Sequence, residues 1–256
     1  MTTPIAITSR DNPLLKRLRV LAQDSTAYRK LGQIWLEGDH LCRALLARGH
    51  RPATAVFTDA GWAQAPHDLR DASDHVVTVP HALMSGISGL ESPAGVGFVW
   101  DLPPATGPEA GRASVVLDRL QDAGNVGAIL RSAAAFGVRQ VLALKGTAAL
   151  WSPKVLRAGQ GAHFGLSLVE GLAAGDLAAL AVPLIATSSH TEHVLHHVVL
   201  PSPCAWVMGH EGQGVSAELM ARCALTVGIP QPGGEESLNV AAAAAICLYE
   251  SQRQRG

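Results

Sequence analysis

Three separated stretches carry residue types at spacings that can do chemistry. The last of them, Ile229 to Glu250, reads IPQPGGEESLNVAAAAAICLYE. An apolar strand stops at Pro230, a Gly/Pro-rich loop follows, and a helix begins near Ser237 and Asn239, whose side-chain oxygens suit the free N–H groups of a first turn. A strand, a glycine loop and a helix start in that order turn backbone donors and acceptors inward, the makings of a small-molecule pocket. An ordinary capped connection between strand and helix is the plainer alternative. The other two stretches are Leu117 to Gly137 (LDRLQDAGNVGAILRSAAAFG) and Val207 to Val215 (VMGHEGQGV), each a polar, glycine-rich turn after an apolar run. None of the three contains a dinucleotide G-x-G-x-x-G, a G-x-x-x-x-G-K-[ST] phosphate loop or a G-x-S-x-G nucleophile elbow. Nicotinamide, nucleoside-triphosphate and serine-hydrolase chemistry are therefore disfavoured.

The histidines His190, His193, His196 and His197 sit in HTEHVLHH at spacings that could place several on one helical face. No cysteine accompanies them, and a polar surface segment is expected rather than a zinc site. No metal is assigned. The four cysteines, Cys42, Cys204, Cys223 and Cys247, lack C-x-x-C spacing and are expected as reduced, buried thiols.

The elements that must position these turns follow from periodicity. Residues 1–100 alternate short strands (Gln33–Glu37, Ala53–Thr58, His75–Val79, Gly95–Trp100) with helical stretches, a small α/β layer. Its first helix, within Ser9–Leu21, has Asn12 as N-cap, Pro13 as first helical residue, an apolar face of Leu14, Leu18 and Leu21, and cations Arg10, Lys16, Arg17, Arg19, Arg29 and Lys30 in and around it. Those cations suit either a solvated face or a phosphate contact. Asp101–Arg112 (DLPPATGPEAGR) is the expected linker. From 113 to 256 the alternation is regular: strands at Val115–Asp118, Gln140–Leu144, Pro183–Thr187, Ala205–Met208 and Leu225–Ile229, helices at Asn125–Phe136, Pro153–His163 and Ser216–Cys223. Nearly unbroken apolar strands predict a parallel sheet buried on both faces, with ligands at the strand carboxyl ends.

With 256 residues, 48% hydrophobic and 16% charged, the chain suits a globular protein with a sizeable core. No apolar run nears a membrane span, and the N-terminus lacks a signal-peptide layout, so no membrane partner and a cytoplasmic location are expected. A formal net charge of −1 opposes wholesale nucleic-acid wrapping but leaves room for a local basic patch.

Taken together and in order, the three turns resemble the signature motifs of the SpoU (TrmH-type) RNA ribose 2′-O-methyltransferases of the SPOUT superfamily. The first motif is matched by Asn125, Gly127, Arg131 and Phe136–Gly137, and the second by Gly209, Glu211 and Gly214. The third is matched by Ile229, Pro230, Gly233, Ser237, Leu238, Asn239 and Val240. Ser152–Phe164 is also similar, so the resemblance spans about 114–252; Gln231 stands where many relatives have Met. Residues 1–100 resemble, more loosely, the small ribosomal-protein-like α/β domain used for RNA recognition.

The resemblance implies a SPOUT-type knotted parallel sheet flanked by helices, a C-terminal trefoil knot and a homodimer. It implies S-adenosylmethionine as methyl donor, held by Gly209, Ile229 and Leu238 with Thr187 nearby, and an RNA substrate, ribosomal RNA ahead of transfer RNA. Arg131 is then the central catalytic group, with Asn125, Glu211, Ser237 and Asn239 positioning ribose, phosphate or Arg131. A non-catalytic RNA-binding protein on the same fold is the rival reading, against which the joint presence of these five residues stands.

Overall fold

The computed structural model describes residues 3–188, 190–233 and 237–256. Residues 234–236, part of the last motif loop, lie outside them. The chain forms two compact units, one running to Pro104 and including Trp151–Phe164, the other comprising Ala105–Leu150 and Gly165–Gly256.

The first unit opens with β1 (Ile5–Ala6), α1 (Pro13–Gln23), α2 (Ala27–Leu31) and β2 (Gln33–Glu37). It continues with α3 (Asp39–Leu46), β3 (Thr54–Thr58), α4 (Asp59–Gln64), α5 (His67–Arg70), β4 (Val76–Val79), α6 (His81–Ser85) and β5 (Val96–Asp101). The strands form one sheet in the order β1-β4-β3-β5-β2. β4 is parallel to β1 and β3, and β5 runs antiparallel to β3 and β2. Asn12 caps α1, its Oδ1 accepting from Leu14 N at 2.9 Å, and Pro13 opens the helix. The buried stripe of α1 is Leu15, Leu18, Leu21 and Ala22. Leu14, expected on that face, is only half-buried, because the stripe is wound one residue further on.

The second unit contains β6 (Ser114–Leu117), α7 (Ala123–Ala135), β7 (Gln140–Leu144), then, beyond α8 (Pro153–Gly159) of the first unit, β8 (Ser167–Leu172) and β9 (Leu184–Thr187). It ends with β10 (Ala205–Met208), α9 (Ala217–Met220), β11 (Leu225–Val227) and α10 (Val240–Arg253). Its six strands are all parallel, in the order β11-β9-β10-β6-β7-β8. One face buries Val116, Leu142, Val169, Leu184, Ala205 and Val207 with Leu177, Leu180 and Leu219. Against β10, α10 places Ser251, whose Oγ accepts from Trp206 Nε1 at 2.8 Å inside the core.

Helix Pro153–His163 is shorter than expected. Gln160 takes a left-handed conformation (φ 49°) and closes α8 at Gly159, and Ala162–Gly165 is a separate 3-10 turn. Trp151 packs on Trp100 and His163 at ring-centroid distances of 5.8 and 5.2 Å, which explains why Trp151–Phe164 belongs to the first unit. Leu195–His197 is likewise a 3-10 turn and not a helix, with the His196 and His197 rings edge to face. No described helix is long and apolar enough to cross a membrane. Cys42, Cys204 and Cys247 are buried free thiols and Cys223 is half-buried; burial pushes the Cys223 thiol up to about 11.

Candidate active site

Strand order decides where a ligand can enter the second unit. β6 and β10 are neighbours, but the chain leaves β6 toward β7 on one side and leaves β10 toward β11 on the other. Loops that part in this way leave a crevice at the carboxyl ends of the strands. An open cleft of about 700 Å³ lies there.

Each wall is built by one motif. On the β6 side, α7 begins at Ala123, not at Asn125, because Asp122 supplies the cap: its Oδ1 accepts from Asn125 N at 2.7 Å. On the α10 side Asn239 is the N-cap, its Oδ1 accepting from Ala241 N at 2.9 Å and Ala242 N at 3.2 Å. Ser237, the other residue expected to cap, instead lies exposed on the cleft wall. The β10 loop turns back tightly, with reciprocal backbone bonds between His210 and Gly214 of 3.0 and 2.8 Å. His210 Nδ1 also accepts from Gly212 N at 3.0 Å and Gln213 N at 3.3 Å, so its proton is assigned to Nε2. Gly209 is required here, since a β-carbon would overlap the backbone at Gly214 and Val215.

A polar relay joins the three walls. Glu211 reaches across and accepts from Gln121 N (3.2 Å), Asp122 N (3.0 Å) and Asn125 Nδ2 (3.3 Å). Asn125 Oδ1 then accepts from Asn239 Nδ2 at 2.9 Å. An ionised carboxylate only accepts, so Glu211 dictates the orientation of both amides and leaves Asn239 Oδ1 facing the helix start. Burial pushes the Glu211 carboxyl up, but the N–H groups of Glu211 itself, Asp122 and Gln121, with the Asn125 amide, outweigh it and hold the group below its usual value.

A second tether runs beside the first. The buried Asp118 carboxylate accepts from Ser216 N at 2.7 Å and from Arg119 Nε at 3.0 Å, and Arg119 Nη1 donates to Gln213 Oε1 at 3.0 Å.

Of the residues singled out in the sequence, Asn125, Thr187, Gly209, Glu211, Ile229, Ser237, Leu238 and Asn239 all line this cleft. Arg131 does not. It lies on the exposed face of α7, because six residues turn the helix by about 600°, away from the side that carries Asn125. His190 is at the cleft wall; among the described residues no group of three or more His, Cys, Asp or Glu is arranged to hold a metal ion. His210, Gln213 and Gln231 also line the cleft and were given no role from the sequence. The signal for Gln213 was its place inside the G-x-E-x-x-G turn.

A family model described as the SpoU rRNA Methylase family matches residues 112–249. The chain belongs to this family. An uncharacterized tRNA/rRNA methyltransferase of Synechocystis sp. is 36% identical over all of this chain and 96% of its own length. The 23S rRNA (guanosine(2553)-2′-O)-methyltransferase RlmP of Bacillus subtilis is 30% identical, over 86% of this chain and 88% of its own. The structure of an AdoMet-bound rRNA methyltransferase from Sinorhizobium meliloti superposes with a TM-score of 0.83 at 26% identity, covering 97% of each chain.

The SpoU rRNA methylase cleft fits S-adenosylmethionine on its own chemistry. It has the volume of a small-molecule site, apolar Ile229 and Leu238, and glycine backbone at Gly209 where side chains would intrude. Gln231 also lines the cleft, and its Oε1 is shielded from solvent with no hydrogen-bond partner among the described residues, an acceptor a bound N–H or O–H group would satisfy.

Proposed function

We propose that this chain methylates the 2′-hydroxyl of a ribose in ribosomal RNA, with S-adenosylmethionine as donor. The observation that carries the reading is the Glu211–Asn125–Asn239 relay, which draws the three family motifs around one cleft. Ribosomal RNA is favoured over transfer RNA because RlmP and the S. meliloti enzyme, both named for rRNA, match nearly the whole chain including the first unit. Residues 1–100 are assigned to RNA recognition, 101–112 to a linker, and 113–256 to methyl transfer, although within that last stretch Trp151–Phe164 packs with the first unit.

When bound, the donor supplies a sulfonium methyl that is already activated, so the protein's task is alignment and charge. Gly209, Ile229, Leu238 and Thr187 hold the donor; Asn125, Ser237 and Asn239 position ribose and phosphate; Glu211 fixes the amides that do so. Arg131 stabilises the 2′-oxygen as its proton passes to solvent water, and grips the adjacent phosphate. A guanidinium carries five N–H donors and no acceptor, which suits a donor and not a general base.

The position of Arg131 outside its own cleft supports a homodimer in which it serves a ribose at the shared boundary. An apolar surface of the required kind is present: Leu238, Ile246 and Tyr249 lie exposed on and just before α10, with Tyr249 57% exposed and stacked edge-on to Phe136 at the end of α7. A trefoil knot is supported by α10, which comes after edge strand β11 in the chain and packs on α7 and β10. The cytoplasm, where ribosomes are built, is the assigned location.

The direct test is mapping of ribose methylation across total RNA with and without the gene. One lost 2′-O-methyl site in ribosomal RNA, restored by the wild-type gene and not by Arg131→Lys, is expected. An unchanged map, together with no calorimetric heat on adding S-adenosylmethionine, would leave a non-catalytic binder.

A further inference from the structure

Among the described residues three non-glycine positions have positive φ: Arg119 (59°), Gln160 and Ala181. The last two close helical segments, where a left-handed residue is ordinary. Arg119 closes no helix. It follows β6, in a conformation where a β-carbon crowds the backbone and glycine or asparagine would be easier. Strain of this kind persists where the surroundings hold it, and it collects at functional sites.

What holds Arg119 is specific. Its Nε is fixed at 3.0 Å on Asp118, whose carboxylate is only 2% exposed and is fixed in turn by Ser216 N at 2.7 Å. Its Nη1 reaches Gln213 Oε1 at 3.0 Å. With Oε1 held by Arg119, the amide of Gln213 is oriented so that its Nε2 hydrogens are left to donate, and no described residue accepts from them. Gln213 itself is exposed on the cleft wall, on the turn that carries Gly209 and Glu211.

We propose that Gln213 is a binding residue that donates through Nε2 to an anionic oxygen of a molecule in the cleft, and that Arg119 is the positioning residue that sets its amide in that sense. The role rests on the methyltransferase reading above. Two ligands offer such an oxygen: the carboxylate of the methyl donor and a phosphate of the RNA.

Four variants test it: Gln213→Glu, Gln213→Ala, Arg119→Lys and the double Arg119→Lys/Gln213→Ala. Gln213→Glu keeps, and strengthens, the contact with Arg119 while removing the N–H donors. A purely structural tether therefore predicts unchanged or higher thermal stability and normal activity for it. The donor role predicts the same stability with at least a tenfold loss in one ligand. If the oxygen is the donor's, the loss is in the calorimetric Kd for S-adenosylmethionine; if it is the RNA's, that Kd is unchanged and KM for RNA rises. Arg119→Lys, which lacks the planar fork, loses as much as Gln213→Ala, and the double variant loses no more than either. Normal binding of both ligands by Gln213→Glu, or additive losses in the double variant, would overturn the proposal. Failure of the wild-type chain to bind S-adenosylmethionine would overturn the cleft assignment and this role with it.

Discussion

The polarity of the relay can be inverted with one atom. Asn125→Asp keeps the size of the side chain and still offers Asn239 an acceptor, but it replaces the N–H that meets Glu211 Oε1 at 3.3 Å with a second carboxylate oxygen. Two unit charges at that distance repel by about 1 kcal/mol in a water-like dielectric and several times more near a protein surface. Glu211 is exposed enough that solvent screens much of this, so about 1–2 kcal/mol is expected, roughly 5- to 30-fold in an equilibrium constant. The measurement is the calorimetric Kd for S-adenosylmethionine at pH 8, with circular dichroism to show that the fold is intact. Acidification protonates one of the paired carboxyls, so the deficit relative to wild type shrinks as pH falls. Adding Glu211→Gln supplies an amide that can donate to the new carboxylate, and the double variant should bind more tightly than Asn125→Asp alone. A double variant whose losses multiply would refute the direction assigned to the relay.

Gly209→Ala forces a β-carbon into the Gly214–Val215 backbone, which cannot swing aside as a flexible side chain would; about 1–3 kcal/mol of stability is lost and calorimetry should detect no donor binding. Glu250, paired with Arg253 at 2.7 Å, has its carboxyl held down at about 2 by Arg253 and then Gln254. A depressed carboxyl stabilises the fold above its unfolded value and loses that effect as pH falls toward 2. Glu250→Gln should therefore melt below wild type at pH 7, and the two melting curves should converge near pH 2. If Arg131 serves a shared boundary, mixing inactive Arg131→Ala with inactive Asn239→Ala after dissociation and reassociation restores about a quarter of wild-type methylation, since half the dimers are mixed and each has one complete site. No recovery, with mixed dimers shown by mass, would place Arg131 with its own cleft.

The turns were legible in the sequence because their chemistry is local: a cap, a glycine and a carboxylate declare themselves within a few residues. Their convergence was suggested by order and resemblance, but the Glu211–Asn125–Asn239 contacts join positions up to 114 residues apart, which no local pattern reports. β8 was missed because Glu170 and Gly171 interrupt its apolar run, as an edge strand tolerates. The start of α7 was misplaced because Asp122, and not a residue nearer the apolar run, makes the cap. Membership of Trp151–Phe164 in the first unit depends on aromatic packing with Trp100, which is invisible to periodicity. The side of α7 taken by Arg131, in contrast, could have been counted from the helical repeat.

Asn239 and the helix behind it supply the third wall of the cleft, and Ser251 fastens that helix to Trp206 deep in the sheet. On a ribosome, which delivers the chain from its amino end, every other part of the cleft emerges first. A nascent chain whose α10 is still held inside the exit tunnel would therefore lack that wall and have no closed seat for the donor.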